Sequence, residues 1–133
     1  MKPLKTKIPM LIGIFLIIAT AIIFLAFFNR ERCSKYKVGG KNYCLLVADS
    51  PEKREKGLMH YRKPVGFDGM IFIFPNYEKV TFWNYSTYLD LDVLWLKDEQ
   101  LVGKSFLPSI EKSKATAVVD SPGGVNRVVE LIR

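Results

Sequence analysis

Residues 92–106 read "DVLWLKDEQLVGKSF", two apolar runs (Asp92–Leu96 and Leu101–Phe106) around a polar "KDEQ" that suits a hairpin turn. The same signature recurs on both sides. "GMIFIF" (Gly69–Phe74) ends at Pro75, and "KVTFW" (Lys79–Trp83) alternates. "TAVVD" (Thr116–Asp120) and "NRVVELI" (Asn126–Ile132) flank "SPGGV", a turn rich in Pro and Gly. "YCLLVA" (Tyr43–Ala48) is a short apolar run of the kind that forms a buried strand. At least six short strands predict an all-β domain, a small β-sandwich or barrel-like fold. Phe67, Phe72, Phe74, Phe82, Trp83, Trp95 and Phe106 supply its large apolar volume, and most of these rings are expected inside. No alternation of strands with long helices calls for a parallel sheet.

One short helix interrupts the strands. In "DSPEKREKG" (Asp49–Gly57), Ser50 is placed to cap, Pro51 to open the first turn and Gly57 to stop it. Glu52 and Lys56 stand four apart with the acid first, a modest support. Two turns do not persist in water without packing against something.

The N-terminus is of another kind. "MLIGIFLIIATAIIFLAFF" (Met10–Phe28) has nineteen residues without charge or proline. At 1.5 Å per residue it would span roughly 28 Å, which predicts a single N-terminal transmembrane helix. Such a run is long for a signal peptide, and it ends in "AFFNRERC" (Ala26–Cys33), where bulky and charged residues stand in place of small ones. The expectation is an uncleaved anchor. The chain therefore divides into a basic cytoplasmic tail and anchor (1–29), a polar juxtamembrane linker (30–42) ending at Gly39 and Gly40, and a β-domain (43–133).

The formal charge of +7 falls to +4 without Lys2, Lys5 and Lys7, and much of the remainder lies in residues 30–41. A basic stretch beside an anchor suits anionic lipid head groups. No arginine-rich helix or basic–aromatic array suggests nucleic acid as a partner. The lysines before the span favour a cytoplasmic N-terminus, yet Arg30, Arg32, Lys35, Lys37 and Lys41 make the following side richer. Cys33 and Cys44 are the only cysteines. Their spacing fits a disulfide in an oxidising compartment, and equally one juxtamembrane thiol and one buried thiol.

The order of motifs resembles DUF192 (UPF0127), a family of small uncharacterised bacterial and archaeal proteins. The residues that carry it are "ADSPEKREKGLMHY" (Ala48–Tyr61), "GMIFIFP" (Gly69–Pro75), "FWNYSTYLDLDVLWL" (Phe82–Leu96) and "VVEL" (Val128–Leu131). The resemblance implies a compact β-sandwich, often following a signal or anchor segment, and so an extracytoplasmic domain. It supplies no reaction. Where the family reads FWMKNT, this chain has Asn84, Tyr85 and Ser86 in place of the methionine, lysine and asparagine, and Asp90 stands where proline is usual. Thr87, Leu91 and Asp92 match.

These motifs supply the candidate site. Aromatic walls with a few convergent polar groups suit a small ligand, which points to Trp83, Thr87 and Asp92 with Met59 and Met70 nearby. Asp92 could orient a polar ligand, or accept backbone N–H groups and brace a turn. Met59 and Met70 could offer thioethers to a soft metal, but such side chains more often fill a core, and no metal or cofactor is expected. His60 is the only histidine, and no catalytic signature surrounds it. The reading is a membrane-anchored, extracytoplasmic, non-catalytic β-domain that binds a small ligand or another envelope component, with the lipid bilayer as its other partner. The alternatives are an envelope hydrolase working through the Asp90 and Asp92 carboxylates, and a pure protein-interaction module.

Overall fold

The computed structural model describes residues 8–28 and 31–133, with side chains of the N-terminal helix described for residues 12–24. The tail lysines and Arg30 lie outside the described residues. The chain divides into two compact units, residues 1–32 and Cys33–Arg133.

In the first unit, α1 (Ile8–Phe28) is a 21-residue helix with no acid in its first turn and no base in its last. Ile12, Phe15, Leu16, Ile17 and Phe24 are all exposed, so its apolar surface is not confined to one face. The hydroxyl of Thr20 donates back to the carbonyl oxygens of Leu16 (3.0 Å) and Ile17 (2.9 Å). Among the described residues no helix is long and apolar enough to cross a membrane. The thirteen residues with described side chains cover only about 20 Å at 1.5 Å per residue, although the helical backbone is longer.

The second unit is mostly β, a curled six-stranded sheet of half-barrel form beside a two-stranded ribbon. Its strands are β1 (Ser34–Val38), β2 (Lys41–Ala48), β3 (Gly69–Glu78), β4 (Thr81–Trp83), β5 (Leu91–Lys97), β6 (Gln100–Leu107), β7 (Val118–Asp120) and β8 (Val125–Ile132). The helices are α2 (Pro51–Lys56) and α3 (Ile110–Ser113). The large sheet runs β1-β2-β3-β8-β5-β6, and β4 pairs with β7. The hairpin expected from residues 92–106 is β5–β6, turning at Asp98, which takes a left-handed φ of 54°.

Strand alternation splits the sheet's apolar residues into two sets. Leu46, Ala48, Met70, Phe72, Val93, Trp95 and Val128 pack on one face, beneath α2 and the β4–β7 ribbon. Leu45, Ile71, Leu94, Leu96 and Val129 pack on the other. Because both faces are covered, the central strands are apolar almost throughout instead of alternating with polar residues. Edge-on ring contacts extend the first set, Phe72 to Phe82 at 4.7 Å and Phe82 to Trp95 at 5.7 Å between centroids. The Trp95 indole N–H, buried with its ring, donates to Ser105 Oγ at 2.9 Å.

Ser50 caps α2 through its side chain, Pro51 opens it and Gly57 ends it at φ 49°. Other expectations are corrected. The supposed linker (30–42) contains β1, whose Tyr36 and Val38 turn inward between exposed Lys35 and Lys37. Its basic composition hid a period of two. β2 and β3 run parallel, with α2 in the connection that a parallel pair requires. β3 continues through Pro75 because the ladder with β8 shifts register between Ile73 and Glu78, freeing proline of the need to donate. Phe106 and Trp83 are not core rings; they are 38% and 51% exposed.

Candidate functional site

α2 is pinned over β3 by one side chain. Arg54 donates to the Ile73 carbonyl oxygen at 2.8 Å while its guanidinium lies 5.2 Å from the centre of the Phe74 ring. This leaves a groove of about 330 Å³ between the helix and the β3–β4 edge, walled by Phe72, Phe74, Phe82 and Trp83 with Arg54 and Glu55 on its rim. Past Gly57 the chain turns down through buried Leu58 to Met59, and the groove deepens into a chamber of about 30 Å³. Met59, Thr87 and Glu130 line this chamber.

Two loops close it. The His60 N–H donates to the Ser86 carbonyl at 2.9 Å, and both residues take positive φ (68° and 51°). Asn84 anchors the second loop and is wholly buried. Its amide donates to Pro108 O and Ser113 Oγ, both at 2.8 Å, and its carbonyl accepts the Ala117 N–H at 2.7 Å. So buried an asparagine cannot act as the acceptor that its Asn-Tyr-Ser sequence resembles. Thr87 is held between Asn84 and α3: its N–H donates to Asn84 O at 3.0 Å and its carbonyl accepts from Ile110 N at 2.8 Å. The Thr87 hydroxyl donates to Tyr85 O at 3.2 Å.

Glu130 is the unexpected member. It lies in the central strand β8, opposite Met70 on one side and Val93 on the other, and is 4% exposed. Among the described residues its carboxyl makes no hydrogen bond or ion pair, and no side-chain oxygen or nitrogen is both sealed off and unpartnered. Its oxygens therefore reach the chamber. Burial pushes its pKa up to about 8, so near neutrality it carries a proton. The signal for this residue was an acid at the centre of the apolar run "VVELI", at a position whose neighbours two residues away, Val128 and Ile132, face the core.

Of the expected site residues, Trp83, Thr87 and Met59 come together here, and Met70 is a buried core residue directly across the ladder from Glu130. Asp92 does not join them. Alternation puts it on the opposite face, where it accepts from Arg133 Nε at 2.8 Å and pairs with Lys104 Nζ at 3.0 Å. Burial works to raise its pKa, but Arg133 and Lys104 outweigh that and hold it below the usual carboxylate range. The bracing role belongs to Asp90, which accepts the Ser109 N–H at 2.8 Å and pairs with Lys112 at 3.1 Å. The Ser109 N–H and then Lys112 hold Asp90 low as well. With both carboxylates ionised and committed, neither can donate a proton near neutrality, as the hydrolase alternative requires of one.

The aromatics of residues 81–96 divide accordingly. Trp95 fills the core, while Trp83 at the groove and Tyr85 beside it, ring centres 5.6 Å apart, are about half exposed. A second hollow of about 430 Å³ lies beside β1, between Lys35, Lys37, Asp98 and Arg127. Of its two acids, Asp98 is already engaged by Tyr77 at 2.6 Å and Asn126 at 2.9 Å. Cys33 and Cys44 are joined as a disulfide with Cα atoms 5.2 Å apart, tying the approach to β1 onto β2. Among the described residues no group of three His, Cys, Asp or Glu could hold a metal.

A small mixed half-barrel with a grooved face and a buried acid beneath it is a class of domain defined by shape. The chain belongs to the DUF192 family, described as uncharacterized ACR, COG1430, whose model matches residues 34–133. It is similar to the crystal structure of a candidate transcription regulator from Sinorhizobium meliloti 1021, with 31% identity, a TM-score of 0.59, and coverage of 77% of this chain and 79% of that one. It also resembles in fold a protein of unknown function from Novosphingobium aromaticivorans DSM 12444, with 20% identity, a TM-score of 0.58, and coverage of 77% and 84%. No protein of curated function matches it in sequence.

Proposed function

We propose that the β-unit is a non-catalytic binding module whose groove between α2 and the β3–β4 edge takes a small ligand, and that α1 holds it at a membrane as an extracytoplasmic domain. The observation that carries the binding reading is Glu130, a buried carboxyl without a partner among the described residues that opens onto a chamber shared with Met59 and Thr87. An unpartnered buried polar group destabilises a fold by about 1–3 kcal/mol, a cost that a ligand's hydrogen bonds would offset. The tether reading rests on the sequence, the nineteen-residue run Met10–Phe28 without charge or proline, whose one hydroxyl folds back on the helix. An external location agrees with the Cys33–Cys44 bridge, since disulfides persist in oxidising compartments. The transcription-related name of the Sinorhizobium protein is not carried over. Three exposed bases of this chain, Lys53, Arg62 and Lys112, are already engaged by the acids Asp49, Glu111 and Asp90.

Tryptophan fluorescence tests the binding reading because the two indoles report different places. The full chain in detergent is titrated with fractionated envelope extract. A ligand in the groove changes the emission of the wild type and leaves W83F, which retains the core Trp95, unchanged. An unaltered wild-type spectrum and melting temperature with every fraction would remove the proposal.

A further inference from the structure

The chamber also restricts what the buried end of a ligand can be. Its volume of about 30 Å³ holds roughly two water-sized groups. Leu58, Met59, Phe72, Phe82 and Trp83 give it apolar wall, α2 brings Arg54, Glu55 and Lys56 to its lining, and its other polar side chains are Glu130 and Thr87, whose hydroxyl proton is already given to Tyr85. We propose, on the footing that the groove is the binding site, that the chamber selects an uncharged hydrogen-bonding head group, above all a primary amide, carried on a flat apolar body that lies against Phe74, Phe82 and Trp83.

A protonated carboxyl offers one O–H donor and one carbonyl acceptor side by side, which matches the carbonyl and N–H of a primary amide in two parallel hydrogen bonds. Glu130 is in that protonated form near neutrality because burial pushes it up to about 8. A guest ammonium would instead require the ionised form, and would enter past the rim charges. Among the described residues, the charges lining the chamber besides Glu130 are Arg54, Glu55 and Lys56, all on α2. Arg54 is held by Ile73 O and the Phe74 ring, and Lys56 lies 5.9 Å from the Tyr61 ring centre. β3, β4 and the 84–88 loop bring Phe72, Phe82, Trp83 and Thr87 to the chamber, and Met70 and Val93 flank Glu130 in the sheet; none of these carries a charge. A guest carboxylate would be drawn to the rim, but seating it in the chamber would bury a second acid against Glu130.

The test uses the full chain in detergent with ¹³C-methyl-labelled methionine, so that the Met59 methyl reports the chamber and the Met70 methyl reports the core beside it. Benzamide, benzylamine and benzoate are titrated at pH 6.5 and pH 9.5. Benzamide is expected to shift the Met59 resonance at pH 6.5 and to bind at least tenfold more weakly at pH 9.5, where the protonated fraction has fallen. E130Q, which keeps a donor and an acceptor but cannot ionise, is expected to bind benzamide equally at both values, and E130L not at all. Should E130L fail to fold, the wild-type and E130Q pair still carries the test. Benzylamine binding that strengthens with pH, a preference for benzoate, or benzamide binding indifferent to pH would each overturn the head-group assignment while leaving the groove as a site. Silence of the Met59 methyl towards all three probes would overturn the groove reading with it.

Discussion

Gly69 lies directly against the backbone of Glu130: a Cβ at residue 69 would overlap the Glu130 carbonyl oxygen and crowd the Leu131 Cα. β3 and β8 therefore close on each other where the chamber's acid is mounted. G69A is expected to destabilise the domain by about 3 kcal/mol, since the obstacle is backbone and cannot swing aside. Urea denaturation of the full chain checks this, and a variant as stable as the wild type would disprove the close approach.

Glu130 also sets a pH dependence of unusual sign for a carboxylate. Its folded pKa, about 8, stands above the ordinary value of 4.5. The folded state thus holds a proton that the unfolded state has lost, and stability falls as pH rises between those limits by up to about 1.4 kcal/mol per pH unit. Below 4.5 and above 8 this contribution is flat. E130Q should abolish the decline and melt higher than the wild type at pH 8. Parallel pH–stability curves for the two proteins would contradict the burial of an unpaired acid.

Asp92 supplies the opposite dependence from the other face. Its lowered pKa makes its ion pairs with Arg133 and Lys104 stabilising above the ordinary carboxylate value, and that contribution is lost as pH falls through its folded value. Both bases are half exposed, so D92N should cost only about 1 kcal/mol. It should leave the groove's response to envelope fractions intact, whereas a lost fluorescence response would return Asp92 to the site.

Asn84 holds the loop that carries Trp83 and Thr87. N84A removes one acceptor and two donors from part-buried partners, an expected loss of about 3 kcal/mol. The loop should loosen with it, and wild-type exchange protection of the Ala117 amide in N84A would show that the bond does not matter.

The Cys33–Cys44 bridge closes a loop of eleven residues' separation at the sheet edge. Replacing both by serine should cost about 2–3 kcal/mol. On intact cells, maleimide should label neither cysteine before reduction. Labelling of both without reductant would place the domain in a reducing compartment.

The strands and the short helix were legible because local chemistry dictates them. Apolar runs between Pro, Gly and polar turns have few alternatives, and Ser50, Pro51 and Gly57 act within one turn of chain. Trp83, Thr87 and Met59, singled out by the same local logic, line one cavity. Asp92 lies on the opposite face of the sheet, since a period of two says which residues share a face but not which face will carry the groove. The same logic read β1 as linker because lysines on the exposed side of an edge strand look like any solvated charge run.

From its own order of residues the chain specified most of the segments that would be strands, where α2 would start and stop, and how greasy its N-terminal helix is, all matters of neighbours a few positions apart. Tertiary packing alone set the parallel β2–β3 pair, the burial of Asn84 and the seclusion of Glu130. These depend on segments brought together from dozens of residues away. The environment of a buried charge is made by what folds over it, and no short stretch of chain contains that.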